Sequence, residues 1–133
     1  MVNVAEFISR VQGVYKTGSA TEHSYRSSLE WLLSSLEDDV AAINEPKRIA
    51  CGAPDFIVQK DDIAIGHVEA KNIGVSLRGM KDANKAQQDR YRKALPNLIY
   101  TNCLDWDFYR DGELFSSVTI GDLLMGIQPS AEK

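Results

Sequence analysis

Cysteine is scarce in this 133-residue chain: Cys51 and Cys103 are the only two. Two thiols make neither a disulfide framework nor a four-ligand zinc site, and a reducing cytoplasm is their simplest setting. Neither has a histidine near it in sequence, which argues against a catalytic thiol. Proline is limited to four residues, and no Pro/Gly-rich tract or repeat divides the chain. No run of eighteen apolar residues occurs, so no segment is suited to span a membrane. The opening MVNVAEFISRVQ contains an acidic residue and no long apolar stretch, unlike a secretory signal. GxGxxG, P-loop and GxSxG motifs are all absent, which removes the commonest nucleotide and acyl-transfer chemistries. What remains is a chain of ordinary globular composition, 44% apolar and 26% charged. It is long enough to bury one core without staples. A single domain is expected, with its core at about residues 20–120 and a tail or linker at 127–133.

The net charge is −4, which argues mildly against a free-standing nucleic-acid binder. The distribution points the other way. Residues 71–93 hold Lys71, Arg78, Lys81, Lys85, Arg90, Arg92 and Lys93 against Asp82 and Asp89, a local charge of +5. Such a run is either a solvated helix face or a surface turned toward phosphates.

Periodicity orders the elements. Val4, Phe7, Ile8 and Val11 recur at helical spacing over 3–13. Tyr25, Leu29, Leu32, Leu33 and Leu36 form the stripe of a second helix, and Ser19 with Glu22 reads as its capping box. A short strand is expected at 39–44, a hairpin at 53–59 and 63–71, and a basic helix at 78–95 ended by Pro96. Strands follow at 97–101, 105–110 and, after the Asp111-Gly112 turn, 113–120. A helical turn is expected at 121–126. This order predicts an α/β domain of three layers, with helices on both faces of a central mixed sheet. The second hairpin strand, apolar or small on both sides, reads as a central covered strand.

The hairpin GAPDFIVQKDDIAIGHVEAKN (52–72) poses the chemical question. Its strands are apolar, yet Asp55 begins one, and Glu69 and Lys71 end the other. Residues two apart on a strand share a face, so Glu69 and Lys71 point the same way. Asp55 joins them only if the loop is odd or a strand is bulged; a strict two-residue loop sets it across from Val68, on the wrong face. Two carboxylates about 5 Å apart repel each other. A hard divalent cation such as Mg²⁺ between them relieves that. With Lys71 beside it, the set has the parts of metal-assisted phosphodiester hydrolysis.

Pro54-Asp55 followed, after a strand-length gap, by Glu69-Ala70-Lys71 resembles the PD-(D/E)xK nuclease motif. The wider strings NEPKRIACGAPDF (44–56), EAKNIG (69–74) and RYRKALPNLIYTN (90–102) look like the N-terminal nuclease region of fused bacterial restriction–modification proteins, in which an adenine-specific DNA methyltransferase follows on the same chain. The resemblance runs from about residue 20 to 118, and no methyltransferase signature occurs here. It implies a restriction-endonuclease-like fold and a Mg²⁺-dependent DNA endonuclease, with Mn²⁺ as a substitute, acting in the cytoplasm. Asp55 and Glu69 would ligate the ion, Ala70 would offer its carbonyl, and Lys71 would position the attacking water. Glu22 would assist a metal, or be the capping glutamate and no more. Gln87 and Tyr91 resemble the QxxxY element of one nuclease branch and would contact DNA or orient the site's surroundings. Their expected stripe is Met80, Ala83, Gln87, Tyr91 and Ala94, facing the sheet. Lys47, Arg48, Lys81 and Lys85 would lie near the duplex. Double-stranded DNA is the implied partner, with a methyltransferase or specificity region on the same chain and a dimer on DNA as further possibilities.

Two rivals stand beside this. One is a catalytically inactive DNA-binding or docking module on the same fold; the other is a structure-selective repair or junction nuclease. His67 lies on the face of Glu69 and reads first as a hydrogen-bonded core residue. Trp31 and Trp106 read as core packing rather than base-stacking platforms.

Overall fold

Two consecutive aspartates make a two-residue hairpin turn. The computed structural model describes residues 3–44, 46–122, 128 and 129. In it, Asp61 and Asp62 both adopt positive φ, 52° and 66°. Short Asx side chains tolerate that region, and a two-residue hairpin needs it at both central positions. The turn joins β2 (Phe56–Lys60) to β3 (Ile63–Ala70). Lys60 pairs with Ile63 and Gln59 with Ala64, but Val58 pairs with Gly66, leaving Ile65 as an extra, bulged residue. The bulge shifts the register so that Phe56 lies opposite Val68, and Asp55 is delivered beside Glu69. Of the two solutions expected from side-chain parity, an odd loop or a bulge, the chain uses the bulge.

The hairpin sits inside a six-stranded sheet. β1 (Val40–Asn44) flanks β2, and β4 (Asn97–Thr101), β5 (Asp105–Arg110) and β6 (Glu113–Thr119) follow β3 in order. Only β3 and β4 pair in parallel, so the sheet is mixed. Helix α1 (Val4–Tyr15) and helix α2 (Arg26–Ser34) cover one face. There Phe7, Leu29, Phe56 and Val68 are completely buried in one cluster, each contributing about 1.5–3 kcal/mol by burial. Helix α3 (Asp82–Ala94) covers the other face, where Tyr91 and Leu95 pack on Leu98, Tyr100 and Tyr109. The domain is therefore a three-layer α/β/α sandwich. Alternation along β3 and β4 assigns the layers: Val68 and Ala70 face α1 and α2, whereas Glu69 and its neighbour Tyr100 face α3.

Several boundaries differ from the sequence expectation for identifiable reasons. The capping box at the second helix is Thr21 with Ser24, not Ser19 with Glu22: Thr21 N–H donates to Ser24 Oγ at 2.9 Å. A 3₁₀ turn, Glu22–Tyr25, precedes α2. The helix ends at Ser34, so Leu36 falls past it and is 47% exposed. The first half of β3 is not a covered strand. Its pairing with β4 begins only at His67, and Ile63 and Ile65 are exposed. Helix α3 begins at Asp82 rather than 78 because residues 76–81 are held as a loop. Gln88 Nε2 donates to Leu77 O, Asn102 Nδ2 to Val75 O, and Arg78 reaches Asp107 on β5. The helical turn expected at 121–126 is replaced at Gly121–Asp122 by β7, which pairs with β8 (Gln128–Pro129); 123–127 lie outside the described residues. Most of the expected tail also lies outside them.

Candidate active site

The bulged hairpin and the parallel crossover converge at the ends of β2 and β3. Asp55, Glu69 and Lys71 are 8%, 5% and 7% exposed, an unusual depth for three ionisable groups unless each is paired. Their contacts account for it. Ala70 N–H donates to Asp55 Oδ2 at 2.8 Å, and Asp55 N–H donates to Glu69 Oε1 at 3.2 Å. These two bonds lock the strand ends together through the carboxylates themselves. Lys71 Nζ lies 3.7 Å from Glu69 Oε2 and donates to Gln87 Oε1 at 3.0 Å and Asn84 Oδ1 at 3.3 Å. Its own N–H is tied to Thr101 O at 2.8 Å, extending the β3–β4 pairing by one residue.

The electrostatics are strained in one place. Burial, then the negative charge of Asp55, pushes the Glu69 carboxyl up to about 7, against the opposing pull of Lys71 and the Asp55 N–H. Glu22, half-buried on the 3₁₀ turn, adds a small push in the same direction. Glu22 is thus close enough for its charge to act on the site, and the Thr21–Ser24 box leaves it without the capping role.

Gln87 and Tyr91 face the sheet as expected, but other members of the expected stripe do not. Ala83 and Ala94 are exposed, and the inward positions of α3 are Gln87, Gln88, Tyr91 and then Leu95. Gln87 accepts from Lys71 and from the Tyr100 hydroxyl (3.4 Å). Tyr91 is 2% exposed. Its hydroxyl packs against the Gly52 backbone: a Cβ built on Gly52, which has φ +136°, would approach it to 3.0 Å. Tyr91 therefore props the loop leading into Asp55; it does not present its ring to solvent. Arg90 joins it there, donating to Cys51 O at 3.2 Å.

Lys47 and Arg48 are exposed in the β1–β2 loop, and neither forms an ion pair among the described residues. Lys81 is exposed at the start of α3, and Lys85 pairs with Asp89 at 2.8 Å. His67 is half-buried without a hydrogen-bond partner among the described residues, so burial alone lowers its pKa. This departs from the hydrogen-bonded core histidine expected. Trp106 is buried and donates to Cys103 O, while Trp31 carries Arg10 over its ring at 4.1 Å. Cys51 and Cys103 are free thiols, and burial pushes the Cys103 thiol up to about 12.

Sequence reasoning missed three site residues. Arg26 donates to Asp55 Oδ1 at 2.5 Å from the first turn of α2. Its signal was its position one helical turn after Glu22. Asn84 lies one turn before Gln87, and Tyr100 is Glu69's partner across the parallel pair.

The donor set is one that Mg²⁺ accepts. Two carboxylates and a nearby backbone carbonyl are hard oxygen donors, and the raised Glu69 shows an appetite for added positive charge. Among the described residues no group of three or more His, Cys, Asp and Glu is arranged around a common point. The set therefore suits an ion that keeps several of its waters.

No protein-family model and no curated protein matches the chain. A solved structure does: DrdV in a cryo-EM complex with DNA superposes with a TM-score of 0.68 at 20% identity. The match covers 87% of this chain and 12% of the DrdV chain, so this chain spans only about an eighth of its neighbour's length. The likeness establishes the fold, a restriction-endonuclease-like α/β/α domain around a mixed sheet.

Proposed function

We propose that this chain is a Mg²⁺-dependent DNA endonuclease domain that hydrolyses phosphodiester bonds, the cleavage module of a restriction–modification enzyme. One observation carries the proposal: Asp55, Glu69 and Lys71 are buried together at adjacent strand ends, Glu69 accepting from the Asp55 N–H, Asp55 from the Ala70 N–H, and Lys71 reaching Glu69 and α3. The motif resemblance and the fold shared with a DNA-bound protein support it.

Asp55 and Glu69 would hold the ion through carboxylate oxygens, with the Ala70 carbonyl beside them. When bound, the ion would polarise a phosphate and lower the pKa of a water. Lys71 is held by Glu69, Gln87 and Asn84 with its ammonium restricted to one place. From there it would orient the attacking water and offset charge developing on the phosphate. Gln87, itself bonded by the Tyr100 hydroxyl, fixes Lys71, and Tyr91 fixes the approach to Asp55. Lys47, Arg48 and Lys81 would take backbone phosphates, with Lys85 reaching them by leaving Asp89; such contacts hold a duplex without reading its sequence.

The test is plasmid nicking with and without Mg²⁺. Cleavage that needs the ion and disappears in Lys71→Ala supports the proposal; metal-independent cleavage, or an unchanged rate in Lys71→Ala, contradicts it. The rival of an inactive DNA-binding module draws on the Arg26–Asp55 pair, which already neutralises one carboxylate. That rival expects DNA retention with no cleavage under any divalent ion.

A further inference from the structure

Arg26 is a charged site residue for which the nuclease motif has no place. It is the first residue of α2, its side chain is 10% exposed, and Nη2 meets Asp55 Oδ1 at 2.5 Å. Nη1 also approaches Asn44 Oδ1 at 3.5 Å. The other Asp55 oxygen takes the Ala70 N–H. Oδ1 already carries a guanidinium, so a cation drawing on that oxygen meets it.

We propose that Arg26 is a built-in stand-in for the metal: it neutralises Asp55 in the metal-free protein and competes with the incoming divalent ion for Oδ1. The inference rests on the metal-site reading above and deepens it. Charge counting gives the reason. Asp55 is paired with Arg26 and Glu69 with Lys71, all four buried. A divalent ion entering beside them adds two positive charges, and a guanidinium within a few ångströms of the ion repels it. Without Arg26 the site is more negative by one charge. The arrangement lets the fold form without metal, because no carboxylate is left bare, at the cost of weak metal binding. A ligand that brings its own negative charge, such as a phosphodiester, restores the balance and draws the ion in. Metal occupancy is thereby coupled to substrate.

A purely supportive Arg26 makes the opposite prediction. If it only aims Asp55, removing it disorders a ligand and weakens metal binding. If it competes, removing its charge strengthens binding.

The experiment is a Mn²⁺ titration at pH 8, followed by the electron paramagnetic resonance of free Mn²⁺, on the DNA-free chain. Wild type, Arg26→Met, Arg26→Gln and Asp55→Asn are compared. Arg26→Gln removes the charge and retains an amide donor, whereas Arg26→Met removes both. Two unit charges a few ångströms apart interact strongly enough near a protein surface to change a binding equilibrium by at least about tenfold. Both neutral variants should bind Mn²⁺ at least about tenfold more tightly than wild type, and Asp55→Asn more weakly. Melting of the same proteins gives a second readout. The neutral variants should melt lower in EDTA and gain more from Mn²⁺ than wild type does. A variant unfolded in EDTA that folds on adding Mn²⁺ supports the proposal; one that stays unfolded in millimolar Mn²⁺ contradicts it. Equal or weaker Mn²⁺ binding by folded Arg26 variants, with wild type binding and Asp55→Asn not, overturns the competition and leaves the metal site standing. No Mn²⁺ binding by wild type or either neutral variant overturns both.

Discussion

Glu69→Gln should make the metal-free protein more stable at pH 8, and the gain should vanish at pH 4. In the folded chain the Glu69 carboxyl titrates near 7 instead of 4.5 because it is buried beside Asp55. Its sign follows from proton counts. Between pH 4.5 and 7 the unfolded chain releases this proton while the folded chain keeps it, so stability falls as pH rises and then levels off. The displacement from 4.5 to about 7 corresponds to about 3 kcal/mol at about 1.4 kcal/mol per pH unit. Glutamine cannot ionise and keeps an acceptor for the Asp55 N–H. Its partial cost is the lost Glu69–Lys71 attraction, so a net gain of about 1–3 kcal/mol is expected at pH 8. His67 works in the opposite sense: burial lowers its pKa, so its contribution is present above the ordinary histidine value and is lost as pH falls through the lowered folded-state value. The difference between wild type and Glu69→Gln cancels that contribution. Urea denaturation in EDTA at half-unit steps from pH 4 to 8.5 measures it. A difference that is flat across this range, or that grows toward acid, would refute the electrostatic account of the site. Saturating Mg²⁺ should restore wild-type stability at pH 8 and do nothing for Glu69→Gln.

Three further outcomes are expected. Lys71→Ala should reduce plasmid cleavage to background while the metal-free melting temperature stays within a few degrees, since the loss of Lys71 relieves its own desolvation while leaving Glu69 free to protonate. Gln87→Ala removes the oxygen that Lys71 and Tyr100 share, and should lower kcat by about tenfold or more with KM for DNA nearly unchanged, as single-turnover kinetics would show; an effect on KM alone would make Gln87 a DNA contact. Gly52→Ala should destabilise the fold by more than about 1 kcal/mol, because φ is +136° there and the added methyl meets Tyr91; denaturation of the variant at neutral pH checks this.

How much of this was legible in the sequence depended on how local each cause is. The strands at 97–101 and 105–110 came out at their full extents because alternation and the Asp111-Gly112 turn define them within a few residues. The need for a bulge or odd loop was legible because parity is a counting rule, and Ile65 satisfies it. That Ile65 would be the bulged residue was not, since any position between the turn and Gly66 could have served. The start of α3 was misplaced because the loop before it is fixed by Asp107 and Asn102, partners 29 and 27 residues away. Leu36 continued a helical stripe past the point where the helix stops. Arg26 stood one helical turn after Glu22, but an arginine after a serine- and histidine-bearing turn reads as solvated, and only tertiary packing brings it to Asp55. The Ser19–Glu22 box was a plausible local match that lost to an equally local one, Thr21 with Ser24.

The central claim is that Asp55, Glu69 and the Ala70 carbonyl hold one divalent cation beside Lys71. Anomalous difference density from crystals soaked in Mn²⁺ tests it most directly. A peak between the two carboxylates, lost in Asp55→Asn crystals, is the expected result. Clean density at that point, with Arg26 still on Asp55 at millimolar Mn²⁺ in the presence of a DNA duplex, would contradict it.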